Sequence, residues 1–306
     1  MIFKNFFLII SVIFLTTPSL YADIKGTQPE ADQQISDFSL AGYGERGKKS
    51  WDLSGKSADI FNEVVKLKQV VGNLYGKEED IKLTADRGDF NKNNGKVHLE
   101  QDVVITTSSG TKMTTDSLDW DRKNQLVTTK DPVNIQRDNM VIVAQGAKGE
   151  TNLKKVDLEK NVRLDINPAD QNKGENKGVK EKIIITCDGP LEVDYDKNIA
   201  TFNNNVKVER PDTVIYSDKM DVYFIVSNKE AKKPKEGPGA DKNQEMSNSK
   251  IDKIVARGNV KVVRGENVSY SDEAIYSAKD KKLVLTGRPR LIISSTESLN
   301  NASFGN

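Results

Sequence analysis

Cysteine and histidine are nearly missing from this 306-residue chain, with one of each, Cys187 and His98. A lone cysteine excludes an intramolecular disulfide. The same counts exclude a two-histidine metal site and a multi-cysteine zinc site. Charge of one sign is not in excess either: 46 Lys and Arg face 45 Asp and Glu. No global field therefore draws the chain to nucleic acid or to an acidic membrane. Aromatics make up only 7% and are not interleaved with a basic stripe, so a stacking platform for single-stranded nucleic acid is excluded too. Long apolar runs are absent except at the start, where Phe6 to Leu15 is broken only by Ser11. A spanning helix needs about 20 apolar residues. With Lys4 ahead of it and Thr16, Thr17 and Pro18 behind, residues 1–22 read as a signal peptide cut after Ala22, or as a short membrane anchor. Both readings export the chain, and the periplasm is the expected compartment. Residues 23–35 read as a linker.

What the sequence has is repetition. Tripeptides ending in Asp recur at Asp59, Asp86, Asp116, Asp188, Asp218 and Asp272, and "AQG" ending at Gly146 fills the same slot. Successive spacings are 27, 30, 30, 42, 30 and 54 residues. A period near 30 marks a repeated supersecondary unit. The two long gaps contain polar insertions, 169–182 and 227–250, rich in Lys, Glu, Asn, Gly and Pro. Inside each unit a short alternating run follows the Asp, then a polar turn, a second run, a Gly, Asn or Asp kink and a third run. "LEVDYD", "KN", "IATF", "NNN" and "VKVERP" show it after Asp188. Alternation with period two means strands with one buried and one wet face. "DRKN", "DYDKN" and "AKDKK" read as hairpin turns. The fold class is all-β: many short antiparallel strands in stacked hairpins, forming an extended twisted β-jellyroll or β-roll. Kinks at Asn161, Asn205 and Gly258-Asn259 are expected to bend each unit, so that the sheet folds over on itself.

No constellation for catalysis survives inspection. The repeated Asp has one copy per unit, whereas calcium rolls need several Asp and Gly close together. Its expected role is to bond local backbone where the chain leaves one strand for the next. "GYGERGKKS" (42–50) has Lys49 where a P-loop needs Ser or Thr, and alternation rather than a helix follows. Cys187 reads as a small buried strand residue, and His98 as a strand surface residue. The twin segments Tyr216-Ser217-Asp218 and Tyr270-Ser271-Asp272 are two copies of a slot that elsewhere holds Ala, Thr or Cys before the Asp. They cannot depend on a serine hydroxyl. No catalytic residue, cofactor or metal is expected.

The apolar face remains, either as a filled core or as an open groove for a lipid. Parity places Val103, Ile105, Val162, Leu164, Val206, Val208, Phe224, Val260 and Val262 inside. These are the candidate lining residues. The repeats resemble the OstA-like family, the lipopolysaccharide-transport proteins LptC and LptA and the N-terminal domain of LptD. The segments "LTADRGDFNKNNGKVHLEQDVVITTSSG" (83–110) and "CDGPLEVDYDKNIATFNNNVKVERPDTVIYSDKMDVYF" (187–224) carry the likeness. "DFSLAGYGERGKKSWDLSGKSADIF" (37–61) resembles the start of LptC. The resemblance implies a β-jellyroll that holds lipopolysaccharide acyl chains and joins other such proteins by edge-strand addition. It implies a bridge between membranes, powered by inner-membrane ABC transporter components. The chain has about twice the repeats of one jellyroll. A fusion accounts for this: an LptC-like part (36–168) and an LptA-like part (183–298), with a short tail (299–306). The alternative is a structural or adhesive β-solenoid of the envelope.

Overall fold

A strand with one apolar face gains little alone; it must pair with a neighbour that buries the same face. In the computed structural model this principle runs through all the described residues. The structure describes residues 31–44, 47–76, 79–151, 154–167, 182–225, 250–277, 279–280 and 282–293. The N-terminal segment, both polar insertions save Lys182 and Lys250, and the tail lie outside them.

The described residues form one antiparallel sheet of 17 strands. The first nine are β1 (Gln33–Tyr43), β2 (Lys49–Ile60), β3 (Val64–Tyr75), β4 (Asp80–Asn91), β5 (Lys96–Thr107), β6 (Lys112–Asp121), β7 (Leu126–Arg137), β8 (Met140–Glu150) and β9 (Lys155–Ile166). Then come β10 (Ile183–Cys187), β11 (Leu191–Asp194), β12 (Ile199–Glu209), β13 (Val214–Ile225), β14 (Lys250–Arg264) and β15 (Asn267–Ser277). β16 (Lys282–Thr286) and β17 (Arg290–Ile292) close the order. β1 begins inside the stretch read as a linker.

The expected short strands are mostly the two arms of longer ones. "IATF" and "VKVER" are both within β12, with the three asparagines between them. Asn204 and Asn205 take left-handed backbone angles there, φ 64° and 52°. The register with β13 shifts between Asn203 and Val206. The same device recurs at Gln101-Asp102 in β5, Asn161 in β9 and Gly258-Asn259 in β14. An extra residue in left-handed conformation bends a strand without ending its ladder. That is why the kink did not split the strand.

The repeated Asp belongs to the same bend. The expectation that it marks the exit from one strand to the next is corrected: Asp86, Asp116, Asp218 and Asp272 sit in mid-strand, and Asp188 sits between β10 and β11. The Asp188 and Asp218 carboxylates face the neighbouring bulge. Asn259 Nδ2 donates to Asp218 Oδ2 at 2.8 Å, and Asn205 Nδ2 donates to Asp188. An Asn in left-handed conformation points its amide sideways, so an Asp across the ladder becomes its acceptor. The small residue before each Asp faces inward, opposite a buried side chain. Ser217 pairs with Val206, Ser271 with Val260, Thr115 with Val103, and Cys187 with Val162. The inside of a bend has room for one large side chain per pair. This explains why Ser, Thr, Cys and Ala share the slot.

The sheet does not break between the two halves. β9 pairs through its second arm with β10 (Val162 to Cys187, Leu164 to Ile185) and through its first with β11 (Leu158 to Leu191, Val156 to Val193). β10 and β11 act as two arms of one bent strand, and both continue to β12. Asp32–Asn306 is accordingly one compact unit. Two apolar clusters fill its bends, one around Leu99, Val103 and Leu118 and one around Leu158, Leu191, Phe202 and Met220.

Two predictions follow from the bends and the seam. Asn259→Val is expected to lower stability by about 1–2 kcal/mol from the left-handed backbone, plus about 1 kcal/mol for the lost hydrogen bond. Asn259→Gly loses only the bond; urea midpoints measure both. At the seam, Glu192 lies directly opposite Asp157. Burial, and then the Glu192 charge, push the Asp157 carboxyl above its ordinary range, against Lys148 and Lys155. A raised carboxyl costs stability while ionised and relieves it as pH falls through its folded pKa. Glu192→Gln is therefore expected to stabilise the protein by about 0.2–1 kcal/mol at pH 7, with the gain fading as pH falls toward about 4 and gone below it.

Candidate functional site

Because each long strand is bent, its inward residues form two facing rows. One row runs Leu83, Ile105, Met113, Ile135, Ile142 and Leu164 across β4 to β9. The other runs Phe90, Val97, Trp120, Val127, Gly149 and Val156. Between the rows lies an apolar cavity of about 220 Å³. Its walls include Leu74, Ile81, Ile105, Met113, Ile135 and Ile142 from one set of arms. Trp120, Val127, Val156, Val193 and Tyr195 come from the other. Gly72 and Gly149 leave room in it. A Cβ added to either would meet nothing closer than 3.6 Å.

The sequence-predicted lining residues fall at different depths. Val103, Val162, Val206 and Val260 are each 1% exposed and sit immediately after a bulge. Leu164, Val208 and Val262, two residues further along, are 8–9% exposed and remain in the buried core. Ile105 lines the cavity. Phe224 packs edge-on against Tyr195, ring centroids 6.3 Å apart, and Tyr195 is in the cavity wall. The arms diverge from the bend, so side chains touch across it at the bottom and stand apart higher up. Sequence reasoning missed Leu74, Ile81, Met113, Ile135, Ile142, Val156 and Val193. The available signal was distance from the kink: these residues share the inward parity but lie toward the turns.

The mouth is polar and of mixed sign. Asp52, Glu79, Arg137, Lys148, Glu150 and Lys154 edge the cavity. Lys154 pairs with Asp196 at 3.0 Å. Glu79 accepts from the Ser109 backbone N–H at 3.2 Å and from its hydroxyl. Burial pushes the Tyr195 phenol up; Arg137 opposes this and Glu79 adds to it. Asp52 accepts from Asn73 Nδ2 and Tyr75 Oη, each at 2.7 Å, and pairs with Lys49 at 3.0 Å. The bonds from Asn73 and Tyr75, then that from Lys49, hold its carboxyl below the ordinary range despite burial.

The remaining expected features are placed as follows. His98 lies on β5 with Nδ1 2.7 Å from Asp119 Oδ1. Cys187 is buried, and its thiol is pushed up chiefly by burial. Ser217 and Ser271 are buried with hydroxyls that find no partner. The P-loop-like stretch is the β1–β2 hairpin. Among the described residues no group of three or more His, Cys, Asp or Glu is placed to hold a metal. None of their helices is long and apolar enough to cross a membrane.

Bent hairpins in one antiparallel sheet, with an apolar interior between the arms, define a β-jellyroll. Residues 6–167, more than half of the chain, match the family described as lipopolysaccharide-assembly, LptC-related. The chain belongs to that family. Residues 189–303 match the LptA/(LptD N-terminal domain) LPS transport protein family. The two matches place the chain in the lipopolysaccharide-transport bridge family, whose domains are periplasmic, and are consistent with a fusion of an LptC-type and an LptA-type part. The interval between the two matches contains β10 and the Asp188 bend, at the seam. No curated protein matches the chain.

Asp52→Asn tests the carboxylate at the cavity's edge. A depressed carboxyl contributes stability above its unfolded pKa and loses it as pH falls through the folded value. The wild type is expected to be the more stable at pH 7. The gap in urea midpoints should shrink below about pH 4 and close at lower pH.

Proposed function

We propose that the chain is a lipopolysaccharide-export bridge component that holds acyl chains between its strand arms and passes them toward the outer membrane. The observation that carries this reading is the apolar cavity between the two inward rows. Removing acyl chain from water there gains about 0.8 kcal/mol per CH₂. The wall is built mostly of aliphatic side chains, which favours sliding over tight capture. Val103, Ile105, Val162, Leu164, Val206, Val208, Phe224, Val260 and Val262 are proposed as the lower lining, with Ile105 reaching the cavity itself.

The division of labour is also proposed. The 36–168 part receives lipid near the inner membrane, where residues 1–22 serve as leader or anchor, and the 183–298 part hands it on. The partners are inner-membrane ABC transporter components on one side and Lpt-type β-jellyrolls on the other. Edge-strand addition supports the latter: among the described residues β1 pairs only with β2, and the exposed apolar residues Leu291 and Ile292 lie at the far end. One observation favours the filled solenoid instead, the near-complete burial of Val162, Val206 and Val260 around the second cluster.

A photo-crosslinking amino acid at Ile135 is expected to form a lipopolysaccharide adduct, and one at the exposed, outward Lys82 is not. Gly149→Leu, which fills the cavity without backbone strain, should cut the Ile135 adduct at least tenfold while the protein keeps its unfolding midpoint. Equal labelling at Ile135 and Lys82 would overturn the groove.

A further inference from the structure

Arg122 lies in the turn between β6 and β7. Its guanidinium carbon is 4.4 Å from the ring centroid of Trp51 and 5.9 Å from those of Phe90 and Trp120. Trp51 belongs to β2 and the opposite set of arms, so Arg122 reaches across the mouth of the groove. Trp120 is itself in the cavity wall, as is Leu74, the ladder partner of Trp51. The contact therefore stands at one end of the apolar cavity. Trp51 is held in place from behind, since a Cβ on Gly42 would fall 2.0 Å from its indole nitrogen.

What Arg122 does not have is equally informative. Its half-buried side chain makes no ion pair or hydrogen bond to any described residue. Asp121, its chain neighbour, and Asp52, the chain neighbour of Trp51, are taken by Lys96 and Asn124 and by Lys49, Asn73 and Tyr75. Guanidinium carries five donors in a rigid fork suited to phosphate or carboxylate. Three π faces position the group and partly strip it of water, yet they use none of those donors. An arginine that is oriented, partly dried and left without an anion is suited to receive one.

We propose that Arg122, clamped by Trp51, Phe90 and Trp120, recognises the anionic headgroup of an amphiphile whose chains occupy the adjoining cavity. This rests on the groove reading above and adds headgroup selection to it. The ligand class is a phosphate- or carboxylate-bearing amphiphile. The bidentate fork reads the anion, while the cavity reads the chain.

Trp51 and Trp120 are the only tryptophans, so intrinsic fluorescence reports this place without a label. The full chain is titrated with dodecyl phosphate, with the uncharged dodecyl maltoside and with inorganic phosphate. The expected result is that Arg122→Gln weakens dodecyl phosphate binding about tenfold, the scale of a lost charge-assisted pair. Dodecyl maltoside affinity is unchanged, which also shows that the variant is folded. Arg122→Lys is expected to fall between, because it keeps charge without the fork. An equal loss for both amphiphiles, or no loss for either, overturns the proposal and makes Arg122 a structural strap. Inorganic phosphate binding as tightly as dodecyl phosphate also overturns it, because the anion site would then be independent of the groove. If the wild type binds neither amphiphile and Ile135 gives no adduct, the groove reading itself fails. An Ile135 adduct with unchanged headgroup selectivity sinks only the role of Arg122.

Discussion

Everything in this molecule depends on a residue held in left-handed conformation in the middle of a strand. Asn161, Asn204-Asn205 and Gly258-Asn259 each add a bulge where a regular ladder would run straight. The added residue turns the strand, and the turn gives the sheet an inside. Without it the same alternating sequence would make a flat sheet with one greasy face, a form prone to aggregation. The cost of the left-handed residue is small for Asn and Gly. Across the ladder, Asp218 and Asp188 accept the side-chain amides that this conformation turns sideways. A small residue beside the Asp leaves space for the valine opposite. Bend, acceptor and small residue thus form one unit, and the 30-residue period is its repetition.

Depth follows from the bend. Side chains next to the bulge meet across the vertex and fill it, as Val103, Val162, Val206 and Val260 do. Those toward the turns stand apart, and there the cavity opens. Stability and ligand capacity are thereby separated along each strand. The vertex carries the packing, and the upper wall is free to be lined for a guest. Gly72 and Gly149 widen that upper wall, and neither is forced by backbone angle, since both have ordinary φ.

Strand content, inward parity and kink positions were legible in the sequence, because period-two alternation and Asn-rich breaks report directly on local backbone. The register was not, and neither was the distance at which the arms diverge. Both come from pairing between residues some 10–30 positions apart. The lining residues inferred from parity accordingly clustered near the kinks, where alternation is cleanest, and only Ile105 reached the cavity wall. Arg122 carried no signal at all. It sits in a polar turn among Asp, Lys and Asn, and its partners Trp51 and Phe90 are distant in the chain. The Asp slot was visible as a repeat, but its hydrogen-bond partner lay on the next strand, beyond the reach of local reasoning.

The seam between β9 and the β10–β11 pair has a consequence for assembly. Where two separate jellyrolls meet edge to edge, the joint forms and breaks by diffusion, and its occupancy depends on how much of each protein is present. Here the two edges share one polypeptide, so the local concentration of one for the other is set by the tether, on the order of millimolar for a short link. The ratio of the two parts is locked at one to one. Dilution cannot part them, and a free copy of either half competes only when its concentration approaches that local value. In the transport line proposed above, such a chain leaves one fewer joint that can fall open.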